Sequence, residues 1–207
     1  MQKKNNCGLS SLTMAKEISA ALVNGSTVGF KSDVPVTGDI PKGLLMDESS
    51  DLGIYVTASS MFQPFHHTLY VVPKVITLGV GCRKDTSGDV IKKVVEKFCR
   101  MYNIPLEGIE QIASINLKSH EKGLVDFCNE TGLSFITFSK EELEKLPGKF
   151  TPSPFVLKIT GVDNVCERSA LLASSKKGAG SRITVRKYAE QGVTMEAAVR
   201  DWSVDFE

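Results

Sequence analysis

The stretch Lys74–Val95, KVITLGVGCRKDTSGDVIKKVV, decides the reading of the fold. Val75, Ile76, Leu78 and Val80 form a short, mostly β-branched apolar run, which predicts a buried strand. Gly79 and Gly81 are expected to turn the backbone sharply with nothing projecting from it. Thr86 or Ser87 is a good N-cap, and Asp89 adds a carboxylate to the first turn. Val90, Ile91, Val94, Val95 and Phe98 follow at helical spacing. The unit reads as strand, glycine loop, helix. Backbone N–H groups at such a helix start favour an anionic ligand, and Arg83 and Lys84 add positive charge there. The motif is not a dinucleotide fingerprint, because Lys84 stands where the third glycine belongs, and the GK[ST] of a P-loop is also missing. An ordinary strand-to-helix turn accounts for the same residues.

Outward from that unit, Pro73 marks a boundary between residues 1–73 and 74–207. After it the pattern predicts strand 75–80, helix 87–102, strand 110–115, a helix near 120–130, strand 134–138 and helix 139–146. Helical runs then cover 155–159 and 165–173, a glycine-rich turn Gly178-Ala179-Gly180-Ser181 follows, and a hairpin turns around Gln191-Gly192. This alternation implies an α/β fold: a three-layer αβα sheet domain over about 74–200, with ligands at the carboxyl ends of its strands. Before Pro73 the reading is a small α+β region. Residues 1–8 are polar and read as frayed, Ser10 or Ser11 caps a helix ended by Asn24-Gly25, and strands cover 27–30, 54–57 and 68–72.

Composition excludes several classes. The 207 residues are 42% hydrophobic, enough for a packed core, and the net charge of +1 gives no electrostatic footprint for nucleic acid. No apolar run approaches the roughly 20 residues of a membrane span, and MQKKNNCGLSS, with no apolar stretch behind its lysines, is not expected to act as a signal peptide. Five cysteines without CxxC spacing suit a reduced, cytoplasmic protein. Successive side chains of an extended segment point to opposite faces, so His66 and His67 are not expected to chelate one ion. His120 stands alone. Cys82, ahead of a helix and beside Arg83, has two features that favour thiolate, although a tight turn also needs a small residue there. Cys166 lies in an apolar run and reads as core. Ser119 is the expected cap of the 120–130 helix; Lys118 suits a substrate carboxylate and Glu121 a base, while Glu167 beside Arg168 reads as a solvated pair.

Four segments together carry a resemblance: GVGCRKDTS (79–87), IASINLKSHEKGL (112–124), GVDNVCERSALLAS (161–174) and ITVRKYAEQGVTMEAAV (183–199). In that order and spacing they resemble the C-terminal domain of the CbiG family and the related CobE domain. Residues 9–72 resemble the middle region of CbiG less specifically, and Asn116 stands where the family usually has Asp. The N-terminal domain of the family is absent from the resemblance, so the chain reads as a middle plus C-terminal portion that the missing domain would complete. The resemblance implies a role in anaerobic cobalamin biosynthesis: opening the δ-lactone of cobalt-precorrin-5A, releasing acetaldehyde and giving cobalt-precorrin-5B. The alternative it implies is a non-catalytic, CobE-like tetrapyrrole-binding module.

Such a substrate carries acetates and propionates and brings its own cobalt, so no cofactor and no protein metal site is expected. Gly79, Gly81, Cys82, Arg83 and Lys118 are then the expected substrate-binding residues, and Glu121 or Glu167 the catalytic base. The expected partners are the tetrapyrrole and the missing domain, with a homodimer left open and neither nucleic acid nor membrane.

Overall fold

The computed structural model describes residues 6–59, 62–177 and 180–206. The chain divides into two units. The first takes in the chain up to Lys74, Asn103–Gly108 and the chain from Trp202 on; the second comprises Val75–Tyr102 and Ile109–Asp201.

The first unit is built on a five-stranded sheet. Its strands are β1 (Cys7–Leu9), β2 (Val28–Ser32), β4 (Leu44–Leu45), β5 (Leu52–Val56) and β6 (His67–Pro73), in the order β1-β6-β5-β2-β4. Only β1 runs antiparallel to its neighbour. Residues 7 and 8 are therefore not frayed: Cys7 pairs with Pro73 and is buried, because β6 needs an edge partner. Helix α1 (Leu12–Val23) starts where Ser11 accepts the Met14 N–H and ends at Asn24, followed by Gly25 at φ 80°. Its Ile18 packs into a core with Val28, Phe30, Ile54, Val56, Leu69 and Val71. A second, two-stranded sheet joins β3 (Val36–Thr37) to β12 (Val204–Asp205), which brings Val204, Trp202 and Phe206 onto the same core. Phe65, 2% exposed, lies flat against Gly29 and Gly53, where a Cβ on either would overlap its ring.

In the second unit β7 (Ile76–Cys82), β8 (Ile109–Ile115) and β9 (Ser134–Phe138) run parallel, and with β10 (Ser181–Glu190) and β11 (Val193–Arg200) they make a sheet in the order β10-β11-β7-β8-β9. β10 and β11 form the expected hairpin at Gln191-Gly192, and β11 lies antiparallel to β7. Of the predicted glycine-rich turn, Gly178 and Ala179 lie outside the described residues. Helix α2 (Gly88–Met101) is capped by Ser87 and buries Ile91, Val94, Val95 and Phe98, the apolar stripe legible in sequence. α3 (Lys122–Thr131) ends on Gly132 at φ 69°, and α4 (Lys140–Glu144) opens with a capping box between Ser139 and Glu142. α5 (Pro154–Thr160) and α6 (Cys166–Ser175) follow.

Two expectations about this unit change. Gly79 and Gly81 do not form a loop: both lie inside β7, opposite Glu196 and Thr194 of β11. Their purpose is close packing. α6 presents Cys166, Ser169, Ala170 and Ala173, all small and buried, and a Cβ on Gly79 would overlap the Cys166 carbonyl oxygen. The alternate residues Leu78 and Val80 are also fully buried, so both faces of β7 are covered, as a three-layer unit requires. Ser119, in turn, does not cap α3. A 3-10 turn over Asn116–Lys118 intervenes, and Glu121 occupies the cap position without a side-chain cap bond.

Candidate functional site

The carboxyl ends of β7 and β8 bring two loops together. The first runs from Cys82 to Ser87, the second from Asn116 to Glu121. Their approach is close: a Cβ on Gly123 would overlap the Thr86 carbonyl oxygen. Glu121 joins them. Its Oε1 accepts the Asp85 N–H at 2.8 Å and its Oε2 accepts Lys118 Nζ at 2.7 Å. On the other side the Arg83 N–H donates to the Gly192 carbonyl at 2.9 Å, and the Arg83 side chain lies across Gly192. Thr86 Oγ1 donates to the Arg83 carbonyl at 2.8 Å. The first loop is thus strapped to the β10–β11 hairpin at one end and to the second loop at the other. A preorganised rim of this kind presents charge without ordering cost at the moment of binding.

Of the sequence-predicted residues, Cys82, Lys118 and Glu121 meet at this rim, and Arg83 stands beside them on the hairpin side. Gly79 and Gly81 support it from below as packing positions. Lys118 and Glu121 are mostly buried, with side chains 16% and 9% exposed, whereas Arg83 and Lys84 are exposed. Burial pushes the Glu121 carboxyl up, but the Lys118 and Asp85 hydrogen bonds, with the Lys118 and Lys84 charges, outweigh it and hold it below the usual value. Glu121 is therefore ionised near neutral pH and already engaged, which favours a positioning role over proton abstraction. Cys82 is not a thiolate: burial pushes its thiol up to about 11, and Lys118 offsets that only in part. The helix that was to lower it is capped by Ser87, five positions further on.

Glu167 lies elsewhere, fully buried in the first turn of α6. It is not paired with Arg168. Arg186 Nη1 donates to its Oε2 at 2.5 Å and the Thr151 N–H does so at 3.2 Å, while its Oε1 is buried without a partner. Arg168 instead reaches Asp163 Oδ1 at 2.8 Å and the carbonyls of Leu143 and Leu146. Near Glu167 sits a residue the sequence reading passed over. Glu196, 3% exposed, accepts the Lys187 N–H, and burial together with the Glu167 charge pushes its carboxyl up to about 7. A lone acid inside the apolar run Val193–Val199 was the available signal. Cys166 is buried beside Thr194, as its apolar run implied.

In the first unit, a hollow of about 320 Å³ is lined by Tyr70, Val72, Pro105, Leu106 and Glu107, among others. It contains none of the rim residues, and its one charged group is an acid, the wrong sign for a polycarboxylate. The expectation that His66 and His67 diverge also fails. Asp51 lies 3.5 Å from His66 Nδ1 and 3.9 Å from His67 Nε2, and the two rings sit edge to face at 4.5 Å. His66 stands in a bend before β6 begins, where strand alternation does not yet apply. None of the described helices is long and apolar enough to cross a membrane.

Together these features define an α/β protein whose second unit carries a strapped, basic rim at the carboxyl edge of its parallel strands. The chain belongs to the cobalamin biosynthesis G family: residues 76–198 match the family described as Cobalamin synthesis G C-terminus, and residues 2–73 match Cobalamin biosynthesis central region. Curated relatives include cobalt-precorrin-5A hydrolases from Priestia megaterium and Salmonella typhimurium. The first is 33% identical over 49% of this chain and 27% of its own length; the second is 31% identical over 62% and 35%. A probable cobalt-precorrin-5A hydrolase from Methanocaldococcus jannaschii is 29% identical over 62% of this chain and 42% of its own. The chain thus spans roughly a quarter to two-fifths of the curated relatives it matches. Among solved structures, CobE of the cobalamin pathway covers 62% of this chain and 92% of its own at TM-score 0.58 and 22% identity. A cobalamin biosynthesis protein G homologue from Sulfolobus solfataricus covers 94% and 57% at TM-score 0.51 and 20% identity. Both likenesses concern the fold.

Proposed function

We propose that this chain acts in cobalamin biosynthesis at the hydrolytic opening of the cobalt-precorrin-5A δ-lactone, and that its second unit binds the carboxylated tetrapyrrole. The observation that carries this reading is the family match itself: central and C-terminal regions occur in order over 2–73 and 76–198, beside curated relatives that are cobalt-precorrin-5A hydrolases. The rim supports it. Arg83 and Lys84 are exposed on a loop held rigid by Gly192 and Glu121, which suits the acetate and propionate groups of the macrocycle. The cobalt is part of that substrate. Lys118 is the remaining cation of the rim, and it engages a substrate carboxylate by exchanging it for Glu121.

A second reading, a tetrapyrrole-binding module without its own chemistry, is favoured by one observation. Glu121 is occupied by Lys118 and Asp85, and Glu167 is sealed beside Arg186, so neither candidate base stands free. The experiment is an absorbance titration with cobalt-precorrin-5A followed by an acetaldehyde assay. Each charge-assisted contact contributes about 1.5–3 kcal/mol, so Arg83→Ala should weaken binding by roughly ten- to a hundredfold. Turnover to acetaldehyde supports the hydrolase, and binding without acetaldehyde supports the module. Absence of binding refutes both.

A further inference from the structure

Three side chains of the first unit converge although the rim of the second unit does not involve them. One nitrogen of His66, one of His67 and a carboxylate oxygen of Asp51 all lie within 4.8 Å of one another. Ligands of a late first-row ion sit about 3 Å apart, given bonds of roughly 2.0–2.2 Å. The present separations, 3.5 Å from Asp51 Oδ1 to His66 Nδ1 and 3.9 Å from Oδ2 to His67 Nε2, with one ligand atom of each residue within 4.8 Å of the others, are within reach of that by side-chain rotation. All three residues are exposed and free to make it.

The backbone beneath them is fixed. The His67 N–H donates to the Asp51 carbonyl at 2.8 Å, and Leu52 and His67 are register partners, so Asp51 and the histidines sit at the starts of two adjacent parallel strands. The bend before β6 is held by Thr68 Oγ1, which donates to the Phe65 carbonyl at 2.7 Å and accepts the Phe65 N–H at 3.1 Å. Gln63 Nε2 adds bonds to the carbonyls of Phe65 and His66 at 3.1 and 2.9 Å. Phe65 itself is anchored over Gly29 and Gly53. This framework holds adjacent histidines on one side of the chain, against strand alternation, and aims both at one carboxylate.

We propose that Asp51, His66 and His67 form a site for one divalent late first-row transition metal ion. Two imidazole nitrogens and one carboxylate oxygen would hold it, with solvent in the remaining positions. Imidazole nitrogen selects cobalt, nickel, copper or zinc over magnesium and calcium, which take oxygen ligands. The site would staple the entrances of β5 and β6, so occupancy would stabilise the first unit by mass action. It is independent of tetrapyrrole binding.

The test is a Co²⁺ titration of the full chain followed by absorbance, with Zn²⁺ as competitor and thermal unfolding as a second readout. The wild type should bind one Co²⁺ per chain without a thiolate-to-metal charge-transfer band. His67→Ala and Asp51→Asn should each weaken binding by at least about tenfold, the lower end of what altering the surroundings of a metal ligand does. Zn²⁺ should raise the Tm of the wild type and not of either variant. The exposed side chains make these variants safe for folding, which unchanged Tm values without metal would confirm. A thiolate band, affinity unchanged in both variants, or no Co²⁺ binding up to about 1 mM would overturn the proposal.

Discussion

Replacing Glu196 by glutamine isolates one buried carboxyl. In the folded protein burial pushes that carboxyl from the ordinary 4.5 up to about 7, with the Glu167 charge adding to it and the Lys187 N–H and the Arg186 charge opposing it. The native state therefore holds a proton that the unfolded chain releases, and folding stability contributed by this group is present below about pH 4.5 and lost as pH rises through 7. A displacement of that size corresponds to about 3 kcal/mol, and screening by solvent near Arg186 trims it to about 2 kcal/mol. Glutamine keeps an oxygen for the Lys187 N–H but has no charge to bury. Urea denaturation of wild type and Glu196→Gln at a series of pH values from 5 to 8.5 gives the difference directly. At pH 5 the two should differ little; above pH 7.5 the variant should be more stable by about 2 kcal/mol. A difference that stays constant across the series would refute the assignment of a proton to Glu196.

Other perturbations have separate outcomes. Gly79→Ala drives a Cβ into the Cys166 carbonyl and must displace α6, so chemical denaturation should show a loss of about 3 kcal/mol or more. Gly53→Ala collides with the Phe65 ring, whose only escape is out of the core, and should destabilise the first unit by a similar amount, visible as early exchange of the β5 and β6 amides. Lys118→Ala leaves Glu121 with the Asp85 N–H alone, so urea denaturation at pH 7 should show a loss of about 1 kcal/mol that persists down to the ordinary carboxyl value of 4.5 and shrinks only as pH falls below it and Glu121 is protonated. Burial pushes the thiols of Cys82 and Cys128 up to about 11, so iodoacetamide at pH 7.5, followed by mass spectrometry, should label them in the native protein far more slowly than after unfolding.

The second unit was legible because its signals are local. The stripe Ile91, Val94, Val95 and Phe98, the cap Ser87, the Ser139–Glu142 box and Gly132 each mark an element within a few residues of itself. The meeting of Cys82, Lys118 and Glu121 followed from the same order, since successive parallel strands end at one rim. The two glycines misled because close helix-to-strand packing and a turned loop ask for the same residue, and the small buried face of Cys166–Ala173 that distinguishes them lies about ninety positions away. The strands β1, β3, β4 and β12, each two or three residues long, carry no periodicity to read; tertiary pairing alone makes them strands. Pairings such as Arg186 with Glu167 are likewise invisible until the hairpin and α6 are placed.

The pairing of β3 with β12 has a consequence for synthesis. Thr37 Oγ1 donates to the Val204 carbonyl across 167 positions of chain, and Val204 is fully buried in the first core. A ribosome delivers Thr37 long before Val204, so the first unit stays open at β3, its core short of Val204, Trp202 and Phe206, while every strand of the second unit emerges. A nascent chain paused in that interval exposes a strand edge and apolar surface together, the pairing that holdase chaperones capture.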